Sequence, residues 1–324
     1  MEAETATATR AATIAELVAA ADASLDAAGV GTPRLDAELL LAAACEVDRT
    51  ALCVRASEPV PSRCAERFRS LLARRVRREP LQYIVGHQEF WSLDFTVNPN
   101  VLIPRPETEL LVELAIGIPF LPPFEKGGRV GICSASSVEE SAQIPLSPPF
   151  SKGATQGRLQ ICDVGTGSGC IAVALARELP SAEVWALDVS MRALAVAELN
   201  AHRLGVAERI RFLRSDLFAA VAHQRFNLIV ANPPYLTEDD FADLQPELAY
   251  EPRAALDGGA DGLSIIRHLL AAARDRLVDD GWFLMEIGAE QAVAVESLAR
   301  SAGFSAISVR ADYAGLPRVL MARR

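Results

Sequence analysis

Aliphatic residues recur at helical spacing over residues 12–29 and 34–45, the second run opening behind Pro33 with Asp36 and Glu38 near its start. A third helical pattern covers residues 62–78. It places Leu71, Leu72 and Val76 on one side and carries arginines at 63, 67, 69, 74, 75, 77 and 78. Together these predict a small helical domain ending near Pro80. The arginine-rich face reads as a solvated surface, with RNA or an acidic partner as alternatives. Over 83–103 apolar and polar positions alternate loosely around Gly86 and Asn98-Pro99-Asn100, which predicts a hairpin bridging two domains. Pro106 then suits the first position of a helix running to about residue 116, with Glu107 and Glu109 at the positive end of its dipole.

Residues 118–157 break the pattern. Ile118-Pro119-Phe120-Leu121-Pro122-Pro123-Phe124 recurs imperfectly as Ile144-Pro145-Leu146-Ser147-Pro148-Pro149-Phe150, in a stretch rich in Pro, Gly and Ser that cannot bury a core. It reads as a flexible insertion at the amino-terminal edge of a sheet. Strand patterns follow at 159–164, 183–187, 210–213, 226–231, 282–287, 304–309 and 318–322, interleaved with helices at 171–178, 190–202, 264–277 and 291–302. Such alternation predicts an α/β fold with a doubly wound, mainly parallel sheet. The expected division is a helical substrate-recognition domain at 1–80, a hairpin linker at 81–104, and a sheet domain at 105–324 that contains the insertion.

Ligands bind outside the carboxyl ends of strands in open α/β sheets, and two of those ends carry chemistry. The strand at 226–231 stops at Asn232-Pro233-Pro234-Tyr235, where neither proline can donate a ladder hydrogen bond. The Asn232 side-chain oxygen and the Pro233 carbonyl are two fixed acceptors, and Tyr235 is a flat packing surface. Such a corner suits alkylation of a planar nitrogen, whose N–H groups must be held so that its lone pair faces an electrophile. An Asx-type turn closing a strand is the plainer alternative. The strand at 159–164 runs into Gly165-Thr166-Gly167-Ser168-Gly169 and a helix, a unit in which backbone can approach a ligand closely. The spacing lacks the last glycine of the dinucleotide fingerprint and favours a nucleoside without pyrophosphate. Asp188, at the next strand tip, suits ribose hydroxyls, a helix cap, or both; Asp216-Leu217 falls where an adenine would sit. The corner and the glycine loop are expected to share one cavity.

Composition narrows the partners. A length of 324 residues, half of them hydrophobic, supports two domains with a sizeable core. The net charge of −10 argues against stable, direct nucleic-acid binding through phosphates. Six scattered cysteines, without CxxC pairs or histidines at metal spacing, read as reduced thiols of a cytoplasmic protein without a metal. Glu2 and Glu4 with no apolar core exclude a signal peptide from the first residues, and no apolar run reaches membrane-spanning length, so no membrane partner is expected.

Five segments carry a resemblance: EPLQYIVGHQEFWSLDFTVNPNVLIPRPETELLVE (79–113), DVGTGSGCIAVALA (163–176), NLIVANPPYL (227–236), EPRAALDGGADGL (251–263) and GLPRVLMAR (315–323). The chain resembles the HemK/PrmC family of peptide-chain-release-factor glutamine N5-methyltransferases. NPPY and GxGxG occur across S-adenosylmethionine-dependent amino-methyltransferases, whereas IPRPETE and EFW are much more specific to this family. The resemblance implies a class I methyltransferase domain with a seven-stranded sheet, S-adenosyl-L-methionine as cofactor, and the GGQ glutamine of class I release factors as substrate. Carried over, Gly165, Thr166, Gly167, Ser168 and Gly169 line the cofactor, Asp188 binds its ribose and Leu217 lies near its adenine. Asn232, Pro233, Pro234 and Tyr235 hold the substrate glutamine, with Asn232 also close to the cofactor. Family members commonly carry Asp at Asn227, a change expected to matter little. The alternatives are a ribosomal-protein glutamine methyltransferase, a nucleic-acid adenine N6-methyltransferase, and a non-catalytic translation-associated module that keeps the fold.

Overall fold

A computed structural model describes residues 11–118 and 158–324. The proposed insertion falls, from residue 119 on, outside the described residues, as does Cys133. Helix α1 (Ile14–Ala27) begins in a capping box, where the Glu16 N–H donates to Thr13 Oγ1 and the Thr13 N–H donates to the Glu16 carboxylate. Helix α2 (Pro33–Cys45) starts on its proline. Helix α3 (Arg49–Val54), which the sequence reading missed, is held by an Asp48 cap on the Ala51 N–H. Helix α4 (Ser62–Val76) packs Phe68 into the core formed with α1 and α2.

The predicted hairpin is shorter than its apolar pattern. Tyr83, Ile84 and Val85 belong instead to a helical turn, α5 (Leu81–Val85), which opens after Pro80 and ends on Gly86 at φ +87°. The strands are β1 (His87–Phe90) and β2 (Leu93–Thr96), and the turn between them is Trp91-Ser92, both at positive φ, as a two-residue hairpin loop demands. Asn98-Pro99-Asn100 lies beyond the hairpin. The Trp91 N–H donates to Glu109 at 2.7 Å and its indole N–H to Glu178 at 2.8 Å, so the hairpin tip is docked on the main body.

After a 3-10 turn (Pro106–Thr108) comes α6 (Glu109–Ile116), then β3 (Gln160–Val164), α7 (Cys170–Glu178), β4 (Glu183–Asp188), α8 (Met191–Arg203), β5 (Ile210–Arg214) and β6 (Phe226–Ala231). The chain closes with α9 (Ser264–Ala273), β7 (Leu277–Glu286), α10 (Ala292–Ser301), β8 (Ser305–Ala311) and β9 (Pro317–Arg323). The helix expected to reach residue 277 ends at Ala273, and Leu277 already pairs with Phe226 as strand. The seven-stranded sheet has the order β5-β4-β3-β6-β7-β9-β8, parallel except that β9 runs against both its neighbours. Along β6, Leu228 and Val230 join the core under α6 and α7, while Ile229 and Ala231 join the core under α9 and α10. That alternation is what a strand buried on both faces requires.

Candidate active site

The chain starts the sheet at β3, winds outward through β4 and β5, and returns to β6 on the other side of β3. The strand order therefore reverses between β3 and β6, the place where open α/β sheets form a ligand crevice. Val164 pairs with Ala231 across that boundary, so the glycine loop and Asn232 leave adjacent strands one residue later, side by side.

At the corner, Asn232 Nδ2 donates to Thr108 Oγ1 at 3.1 Å, and the Thr108 hydroxyl donates to Glu286 at 2.6 Å. Among the described residues none donates to Asn232 Oδ1, which is left as an acceptor. Glu286 ends β7 and is 1% exposed. Burial pushes its carboxyl up to about 7, against the opposing pull of the Thr108 hydrogen bond and the Arg318 charge. Burial likewise pushes the Tyr235 phenol up to about 12, so it stays neutral beside Glu286.

A cavity of about 210 Å³ opens beside this corner, walled by Asn232, Pro233, Tyr235 and Glu286 with Leu102, Leu244 and Leu248 among the apolar lining. Two segments far apart in sequence close it: the Glu251 carboxylate accepts from the Ile103 N–H at 3.0 Å and from Arg105. Behind the corner, Gln291 donates to the carbonyls of Tyr235 and Gly262. The lining does not include the glycine loop. Asn232 is the residue that links the two features: it lines this cavity, and it follows Ala231, which pairs with Val164 at the foot of the glycine loop.

In the glycine loop, the N–H groups of Gly165 and Thr166 both donate to the Leu187 carbonyl, which ties the loop to β4. A Cβ at Gly165 would meet nothing within 4 Å and one at Gly167 only the Gly165 carbonyl at 4.0 Å, so this side of the loop is open. Buried Asp163 accepts from Thr166 and the Ala172 N–H through one oxygen, while its other oxygen, Oδ1, has no partner among the described residues. An unpartnered buried carboxylate oxygen beside an open glycine cradle fits a ligand bearing a cationic ammonium, as the amino-acid end of S-adenosylmethionine does. Asp188 accepts from the Gly167 N–H at 2.9 Å and the Ser190 N–H at 2.8 Å, and Ser190 itself caps α8. Its carboxylate retains lone pairs for further donors. Leu217 sits at φ +45°, unusual for an aliphatic residue, and its carbonyl accepts from Ser215 Oγ at 2.7 Å.

A family profile described as PrmC N-terminal domain matches residues 16–86, and one described as Methyltransferase small domain matches residues 129–261. A release factor glutamine methyltransferase from Moorella thermoacetica is 40% identical over 301 residues, covering 93% of this chain and 94% of the relative. The corresponding protein of Geobacter sulfurreducens is 40% identical, covering 91% of each chain. The chain belongs to the release factor glutamine methyltransferase family. The same description attaches to a Cereibacter sphaeroides relative, 39% identical over 95% of this chain and 98% of its own length.

Within this release factor glutamine methyltransferase family member, several polar contacts were not legible beforehand. Asn227, where a change was expected to matter little, lies inside β6, and its oxygen accepts from the Gln160 N–H at 2.9 Å, stitching β6 to β3. Part of the arginine run turns inward. Arg75 is 6% exposed and donates to Asp36 and Glu247; Arg78 donates to Glu247; Arg74 pairs with Glu79. Asp36, Glu79 and Glu247 of the same chain are thus the carboxylates that these three arginines meet. Glu286 carried one signal that could have found it: a lone carboxylate in the apolar run 282–287. Among the described residues no helix is long and apolar enough to cross a membrane, and no group of His, Cys, Asp and Glu could hold a metal ion.

Proposed function

We propose that this chain methylates the side-chain amide nitrogen of a glutamine, the one in the GGQ loop of class I release factors. The observation that carries the reading is the orientation of Asn232: its nitrogen is engaged by Thr108 and its oxygen is free at the border of the cavity. A primary amide presented there can give one N–H to Asn232 Oδ1 and the other to the Pro233 carbonyl. Its plane then lies against Tyr235, and its nitrogen faces the glycine loop. The apolar wall of Leu102, Leu244 and Leu248 keeps water from competing for those N–H groups.

S-adenosyl-L-methionine, when bound, supplies a methyl group made electrophilic by its sulfonium. Gly165 to Gly169, the unpartnered Asp163 oxygen, Asp188 and Leu217 are the residues that would hold it. Alignment is the main demand on such a step, and a displacement of about 1 Å can cost on the order of a hundredfold. The amide nitrogen becomes acidic as it is alkylated and gives its proton to solvent afterwards, so no general base is needed.

The test is radiolabelled methyl transfer to a purified release factor and to its GGQ glutamine-to-alanine variant. Label is expected on the first and not the second. Asn232→Ala should keep cofactor affinity and lose most turnover; retained turnover with lost cofactor binding would remove the acceptor role. Transfer to a ribosomal protein or to duplex DNA in the same assay, with none to the release factor, would replace this reading.

A further inference from the structure

Asn232 can act as an acceptor only if its amide is the right way round, and the two orientations of a carboxamide have nearly the same shape. What distinguishes them here is the neighbour. Thr108 has one proton to give, and it gives it to Glu286 at 2.6 Å. Its oxygen can then only accept from Asn232, which turns Nδ2 inward at 3.1 Å and leaves Oδ1 for the substrate. Thr108 and Glu286 are 2% and 1% exposed, so water cannot substitute for either partner.

We infer that Thr108 and Glu286 are positioning residues that set the polarity of the Asn232 amide, with ionised Glu286 specifying the productive orientation. The inference rests on the methyl-transfer reading above. A protonated Glu286 would itself donate to Thr108, freeing the threonine proton to go to Asn232 Oδ1. The amide would then turn its –NH2 toward the substrate nitrogen, donor facing donor. Binding of the amide would weaken and its lone pair would lose its aim.

The groups facing Glu286 are Thr108 and Glu107 on the 3-10 turn, Tyr235 on the corner, Arg318 on β9 and Cys170 at the start of α7. Arg318 is shared with Asp312, which draws off part of its charge. Burial, opposed by the Thr108 hydrogen bond and the Arg318 charge, pushes the carboxyl up to about 7, inside the range where the switch can be observed.

Three variants separate this from simple packing. Thr108→Val keeps the shape and removes the hydroxyl; Thr108→Ser restores it; Glu286→Gln removes the charge while keeping the size. Single-turnover methyl transfer to the release factor is followed from pH 6 to 9, with cofactor affinity by calorimetry and melting temperature as controls. Thr108→Val and Glu286→Gln should slow transfer by ten- to a hundredfold at unchanged cofactor affinity, and Thr108→Ser should recover to within about threefold of the parent protein. The parent rate should rise through an apparent pKa near 7, and that rise should vanish in Glu286→Gln. A Thr108→Val rate equal to the parent's, or an unchanged pH profile in Glu286→Gln, would overturn the inference while leaving the methyltransferase reading intact. No transfer by the parent protein under any of these conditions would overturn both.

Discussion

Arg75 and Glu247, 172 positions apart in sequence, meet at 2.8 Å with the arginine almost wholly buried. Arg78 closes on the same carboxylate with two further hydrogen bonds of 2.7 Å each. Glu247 lies on the 3-10 turn Pro246–Tyr250, whose Leu248 is part of the cavity wall, and the Tyr250 hydroxyl donates to the Arg77 carbonyl. The helices at the amino-terminal end thus hold one wall of the site in place.

Loosening that wall is expected to cost both stability and substrate affinity. Glu247→Gln leaves Arg75 with Asp36 but deprives both arginines of a charged acceptor, a loss of about 1–3 kcal/mol by urea unfolding. Arg75→Met strands the buried Asp36 carboxylate and should cost more, about 3–5 kcal/mol. In both proteins the KM for the release factor should rise further than kcat falls. An unchanged KM would show that the wall holds its shape without the clamp.

Two glycines of one loop should fail in different ways when replaced by alanine. At Gly169, φ is +81° and a Cβ would lie 2.9 Å from the Cβ of Ala197, so Gly169→Ala forces α7 and α8 apart. Overpacking of that kind costs about 1–3 kcal/mol, visible as a lower melting temperature. At Gly167 a Cβ has room, so Gly167→Ala should cost only about 1–2 kcal/mol of backbone strain. Its damage should appear as weakened cofactor binding in calorimetry, since the methyl group protrudes on the open side of the loop.

Stability of the ligand-free protein should fall as pH rises toward neutrality. Burial raises Asp163 from 3.8 and Glu286 from 4.5, each to about 7. The folded state therefore holds more protons than the unfolded one between roughly pH 4 and 7. Each group takes away at most about 1.4 kcal/mol per pH unit over that window, and nothing further above it. Glu247 works in the opposite sense. Although burial opposes it, the Arg78 and Arg75 hydrogen bonds hold it down at about 2, so its contribution is full above about 4.5 and is lost as pH falls toward 2. For these three groups the opposing slopes cancel near pH 4, so urea unfolding across pH 3 to 8 should show a maximum there. Asp163→Asn and Glu286→Gln should each flatten the neutral side.

Much of the sheet was readable from local pattern, because β3, β4, β5 and β6 are short apolar runs that end on a polar or glycine signal. The hairpin was overextended because Tyr83 and Ile84 are buried on a helical turn, and a buried aromatic next to a β-branched residue looks the same in either setting. The parts of the site that went unseen are those made by distant segments meeting. Glu251 on Ile103 and Thr108 on Glu286 span 148 and 178 residues, and no spacing rule reaches that far. Asn232 and the glycine loop were visible because each sits where a strand stops, a property of the local chain alone.

The side chain of Asn200 joins pieces that would otherwise move separately. Its oxygen accepts from the Thr96 N–H, and its nitrogen donates to the carbonyls of Thr96 and Ser168. One carboxamide on α8 therefore rivets the end of the hairpin to the glycine loop. The two would open as a single cooperative block, so the Thr96 amide proton should exchange with deuterated solvent as slowly as those in the middle of α8, and anything that stiffens the loop will be felt at the hairpin.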